Sequence, residues 1–226
     1  MTIFKTATLV ALAAALANAQ SANPGVGSNP KADGATDEVT SNTGPNGSED
    51  WLNTGITDGG WKPPFLALED IYHISLDTFY GGIGSSCKQY DQYFQSAGSK
   101  YNVDPVILAV SCANYPNGEC TDSIQDNVDA GTNYLQDQIK SNGGNAIQAF
   151  GAYNGWFVAG NGLNDNKGLT EDYPCSSEGQ SNGVPQNLDY LHQVLNGWLL
   201  GLDVYGDDNW IGTYKCDQSC SNGSKC

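Results

Sequence analysis

Few side chains in this 226-residue chain have the types and neighbours that bond-breaking chemistry needs. Such chemistry takes a carboxylic acid kept protonated in a low-dielectric cleft, a nucleophile beside a base, or a metal-bound water. The two histidines, His73 and His192, are too few for a zinc site in a chain without a Cys-x-x-Cys pair. His192 falls at the edge of a leucine stripe and reads as a surface residue. No Gly-x-Ser-x-Gly elbow occurs. Asn161 to Gly168 (NGLNDNKG) is rich in oxygen ligands, but it lacks the ordered spacing and closing glutamate of a calcium loop. No metal or cofactor is therefore expected. Among the carboxylates, Glu119 is the candidate acid nearest the motifs described below. Its place between Asn117-Gly118 and Cys120 favours a solvated loop charge. Glu69, Asp70, Glu171 and Asp172 read as solvated charges or helix starts.

Helices must do the positioning. Ser86 to Ala97 puts Cys87, Tyr90, Tyr93, Phe94 and Ala97 on one side, and Gly98 is expected to close that helix. Asp104-Pro105 is a cap followed by a first-turn proline, so a helix continues through Val106 to Ala109. Ser123 to Lys140 carries Ile124, Val128, Gly131, Leu135 and Ile139 at helical spacing, which predicts a buried stripe. Asn145 caps a further helix running to Tyr153 and stopped by Gly155. Pro185 opens a last one, with Leu188, Leu191, Leu195, Trp198, Leu199 and Leu202 expected inward. Strand-like alternation is scarce, and the predicted class is all-α.

The start of the chain bears on compartment. Lys5, the apolar run 6–16 and Ala17-Asn18-Ala19 form the pattern of a signal peptide over 1–19, so export to the extracellular space is expected. The seven cysteines, Cys87, Cys112, Cys120, Cys175, Cys216, Cys220 and Cys226, then default to disulfides, with Cys112 bridged rather than nucleophilic. Seven is odd, so one thiol lacks a mate. Residues 20–60, rich in Ser, Gly, Asn and Thr and poor in large aliphatics, are expected to be a disordered linker. Trp51 and Trp61 at its far edge are expected to pack onto the domain beyond. Asn46-Gly47-Ser48 and Asn222-Gly223-Ser224 are glycosylation sequons. The domain proper is expected over 65–226. A net charge of −16 disfavours nucleic acid and anionic membrane as partners.

Three phrases go further: Tyr101-Asn102-Val103-Asp104-Pro105, then Asn127-Val128-Asp129-Ala130-Gly131-Thr132-Asn133-Tyr134-Leu135, then Tyr153-Asn154-Gly155-Trp156. In this order they resemble the lytic transglycosylase and goose-type lysozyme family, glycoside hydrolase family 23. The likeness is to secreted fungal members above all, on Tyr80 to Gly84, Ser141 to Asn145 and Asn187 to Leu191, and spans about 80–200. It implies a lysozyme-like helical domain with disulfides, acting on β-1,4-linked amino-sugar polymers such as peptidoglycan, with chitin as the alternative. It also implies a glycan groove lined by Tyr153, Asn154, Gly155 and Trp156. The family's acid sits in a Glu-Ser phrase followed by Gly-Leu-Met-Gln, and neither phrase occurs here. Counted without a gap, the glutamate falls at Asn114. Alternatively, Cys112 to Cys120 matches a later loop of the family, and a block is missing at the Ser111–Cys112 junction. The resemblance thus leaves two functions open: a glycan-cleaving enzyme, for which Glu119 is the remaining candidate acid, or an inactive glycan-binding module.

Overall fold

The structure, a computed structural model, describes residues 27–113, 123–156, 168–177, 187–204 and 209–214. The expected signal peptide, Glu119, Pro185, residues 161–167, the Asn222 sequon and Cys120, Cys216, Cys220 and Cys226 lie outside them. Among the described residues the regular elements are helices, so the domain is all-α. They are α1 (Glu49–Leu52), α2 (Leu76–Gly81), α3 (Asp91–Tyr101), α4 (Pro105–Ala113), α5 (Ile124–Ser141), α6 (Ala146–Tyr153) and α7 (Tyr190–His192), with short 3-10 turns between them.

The caps follow from the sequence. Asp104 Oδ1 accepts from Val106 N at 3.0 Å ahead of the proline that starts α4. Ser123 Oγ accepts from Asp126 N at 3.2 Å at the head of α5, and Asn145 Oδ1 accepts from Gln148 N at 3.3 Å at the head of α6. Each side-chain oxygen satisfies a first-turn N–H that has no partner within its helix. Val106, Ile107, Leu108, Ala109 and Val110 are all buried, so α4 is apolar all round and sits inside the fold. It packs against α2, α3 and the C-terminal helical run, while α5 lies between α3 and α6. Lys100 Nζ to Asp129 Oδ2 (2.5 Å) and Gln136 Nε2 to Tyr101 O (2.7 Å) tie α3 to α5 on its wet side.

Several helix boundaries differ from expectation. The residues predicted as one helix from Ser86 form a 3-10 turn, Ser85–Tyr90, before α3 begins. Gly98 does not close α3. The helix runs on to Tyr101 and ends on Asn102 in the left-handed conformation, φ 55°. Gly98 is there because α4 starts against it: a Cβ would lie 2.6 Å from Val103 O and 3.0 Å from Pro105 Cγ. The last helix begins at Tyr190, widens into a π-helical stretch over Gln193–Gly197, and tightens over Trp198–Leu200. Leu188, Leu191, Leu195, Trp198 and Leu199 point inward as predicted. Leu202 does not; it lies beyond the stop at Gly201 (φ 80°) and is 41% exposed.

The larger correction concerns the expected linker. Residues 27–60, its described part, are folded onto the domain. Leu52 and Ile56 enter the core, and Trp61 joins them. The remaining order comes from polar side chains bonding to backbone, which a count of aliphatics does not register. Asn46 is fully buried: its Nδ2 donates to Tyr72 O (2.8 Å) and Leu195 O (2.6 Å), and its Oδ1 accepts from Tyr72 N (2.7 Å). The sequon asparagine is therefore a structural strut that no glycan reaches in the folded protein. His192 is likewise an interior residue. Its Nε2 meets Thr40 O at 3.1 Å and its Nδ1 meets Asn196 Nδ2 at 3.0 Å, which fixes the neutral ring, and burial holds its pKa below the usual value.

Candidate functional site

The α5 stripe is buried unevenly, and that unevenness locates the site. Leu135 and Ile139 are in the core, whereas Ile124, Val128 and Gly131, nearer the helix start, are only half-buried. They face a cavity of about 620 Å³ between α3, the end of α4, α5, α6 and the C-terminal helical run. Its closed end is apolar: Phe94, Ile107, Leu108, Val110, Phe150, Val194 and Leu199 line it and are nearly removed from solvent. Of its polar lining residues, Ser86, Gln89, Ser111, Asn127 and Tyr153 are exposed and form the rim, and Tyr90 and Tyr190 are half-buried. Thr132 lines it too, but spends its hydroxyl within α5, on Val128 O at 2.6 Å. No lining side chain among the described residues is charged.

This cavity brings together three of the residues that carry the family resemblance, Asn127, Gly131 and Tyr153, from two helices. A Cβ on Gly131 would meet only Tyr153 Oη, at 3.8 Å, an ordinary contact. Tyr153 is 43% exposed and its ring lies 5.7 Å from that of Tyr134, tilted by 56°, with Tyr134 itself 42% exposed. The two exposed, mutually tilted rings make an aromatic platform, with Tyr153 on the rim and Tyr134 beside it, outside the lining. Nothing in the sequence marks Tyr134 as a site residue, although it belongs to the same phrase as Asn127 and Gly131.

The rest of the expected groove is not assembled. Asn154 and Gly155 are half-buried in the turn that ends α6 and do not line the cavity. Trp156 is a correction. It is fully buried, edge-on to Trp61 with ring centroids 5.1 Å apart and planes at 83°, and it presents no face to a ligand. Trp61 donates its Nε1 to Leu52 O at 2.8 Å and occupies the space above Gly151 that any Cβ would need. The two indoles are core. Trp51, half-buried, packs against the same core.

Cys112, from the last turn of α4, borders the cavity. It and Cys87 are thiols rather than members of disulfides. A hydrogen bond with Cys112 is the main cause that brings the Cys87 thiol down to about 7, against the opposing effect of burial. Cys175 is disulfide-bonded. Among the described residues no group of His, Cys, Asp and Glu is placed to hold a metal ion, and no helix is long and apolar enough to cross a membrane.

The most perturbed carboxyl lies elsewhere. Glu49, from the supposed linker, is buried beside Asp189. Thr213 donates to Glu49 Oε2 through N (2.9 Å) and Oγ1 (2.6 Å), while Asp189 accepts from Tyr214 N (2.9 Å) and Trp210 Nε1 (2.8 Å). Loss of solvation first, then the bond to Asp189, raises Glu49 to about 9. Glu49 Oε1 receives no donor. The pair fastens residues 209–214 to α1 and α7, and no sequence pattern announces it. Comparison of the chain with protein-family models, curated proteins and solved structures gives no match.

Proposed function

We propose that this chain is a glycan-binding module of the lysozyme-like, family 23 type, which holds a β-1,4-linked amino-sugar polymer at the cavity rim without cutting it. The observation that supports it most is the meeting of Asn127, Gly131 and Tyr153 at one cavity that has no carboxyl group among its described lining residues. A sugar ring has an apolar face for the Tyr134–Tyr153 platform and hydroxyls for Asn127 and Ser86 at the rim. Breaking the glycosidic bond requires a proton donor within reach of the leaving oxygen, and amides and phenols of ordinary acidity do not serve. The phenolic group of Tyr153 can line such a cleft but not replace the acid.

Saturable retention of the mature chain on insoluble peptidoglycan or chitin tests the reading. Tyr153→Ala combined with Tyr134→Ala is expected to weaken retention at least tenfold, since stacking contributes of the order of 1 kcal/mol per ring beyond burial. Absence of binding to both polymers would remove this function. The cleaving alternative has its own test: release of soluble fragments by the wild type, abolished by Glu119→Gln, would convert the module into an enzyme.

A further inference from the structure

We infer that the interior of the cavity takes the apolar part of a neutral amphiphile, an alkyl chain entering past the rim and lying against Phe94, Leu108, Val128 and Phe150. Three observations carry this. A volume of about 620 Å³ is in the range of small-molecule sites. A saccharide pushed into the closed end would lose its water for few partners, because Thr132, the one fully buried hydroxyl among the described lining residues, is already bonded within its helix. Its apolar closed end favours an apolar guest, whose burial there is driven by the hydrophobic effect. Among the described lining residues no cation offsets the chain's net charge of −16, so a carboxylate or sulfate headgroup is disfavoured and a neutral one selected. That the headgroup is a sugar resting on the tyrosine platform depends on the glycan reading above; occupation of the interior does not.

The test uses the full mature chain and two neutral probes below their aggregation concentrations: the fluorophore N-phenyl-1-naphthylamine and a series of n-alkyl β-D-glucosides. Saturable binding is expected, tightening about fourfold for each added methylene until the cavity is full, since each buried methylene contributes a fixed transfer free energy. Decanoate is expected to bind at least tenfold more weakly than n-decyl glucoside. Gly131→Leu, which grows into open space, and Val128→Phe one turn earlier are expected to abolish uptake of the fluorophore with Tm unchanged or raised. Absence of saturable uptake, absence of chain-length dependence, or full uptake by a folded Gly131→Leu protein would each overturn the inference. If n-decanol binds as tightly as n-decyl glucoside while the chain-length dependence holds, the cavity inference stands and the glycan reading falls.

Discussion

At the scale of the residue, the most informative group is Glu49. Its pKa in the folded protein, about 9, is above its ordinary value of 4.5, because burial disfavours the charge and a side-chain hydrogen bond to Asp189 favours the protonated form. A carboxyl whose folded pKa is raised binds more proton in the native than in the unfolded chain. Its contribution to stability is therefore complete below about pH 4.5 and declines as pH rises toward 9. The slope from this one group is at most about 1.4 kcal/mol per pH unit. Urea midpoints are expected to fall between acid and mildly alkaline pH, and Glu49→Gln should flatten that fall. The variant comparison separates the pair from the general repulsion among surface carboxylates. A Glu49→Gln protein with the same pH slope as the wild type would show that Glu49 is ionised in the fold. Nothing in the sequence distinguishes Glu49 from the solvated acids around it, since what perturbs it is contributed by residues some 140 to 165 positions later.

At the scale of the element, two mid-helix glycines make opposite predictions. Gly98 faces the start of α4, with Val103 O at 2.6 Å from where a Cβ would be, and Gly131 faces the cavity. Gly98→Ala is expected to cost about 1–3 kcal/mol by overpacking against backbone. Gly131→Ala is expected to add about 0.5–1 kcal/mol through helix propensity alone. Thermal unfolding of both variants checks the pair, and an equal sign for the two would contradict the packing described here. The same comparison shows how far the elements were readable. The α5 stripe, the Asp104-Pro105 start and the Asn145 cap depend on neighbours within a few residues, and periodicity found them. Gly98 resembles a helix stop because local rules assign glycine that role, whereas its reason here is a partner segment folding back onto it. The cavity eluded the sequence for a related cause: its lining is drawn from five separate parts of the chain, and an apolar stripe does not reveal whether the space opposite is filled.

At the scale of the whole molecule, the segment before residue 60 belongs to the folding unit. It supplies Leu52 and Ile56 to the core, the Asn46 strut to the C-terminal run, and Glu49 to the acid pair. A chain beginning at Phe65 would lose Trp61 as well, and is expected to show no cooperative urea transition, because each deleted core side chain leaves a cavity costing about 2–5 kcal/mol against a total stability of about 5–15 kcal/mol. A truncated chain that unfolded with an undiminished m-value would restore the linker reading. Composition misled here because the disorder rule weighs apolar area. A short segment rich in Asn, Thr and Ser can instead be ordered by supplying the donors and acceptors that other backbone lacks, as Asn29 does for Asp70 O and Asn53 for Leu188 O.

The buried sequon places chain synthesis and chain folding in competition. Asn46 is an accessible acceptor only while the polypeptide is unfolded, and the carbonyl that finally encloses its amide, Leu195 O, lies 149 residues further along. During vectorial synthesis the amide therefore waits for nearly the whole chain to emerge before its pocket exists. A glycan attached in that interval has no room in the finished fold, so in a glycosylating secretory pathway each molecule modified at Asn46 is diverted from the native state. Ser48→Asp would erase the sequon while leaving a side chain able to cap α1, the task that Ser48 performs for Trp51 N at 3.2 Å. The yield of native protein from such a host is then set by timing rather than by the stability of the fold.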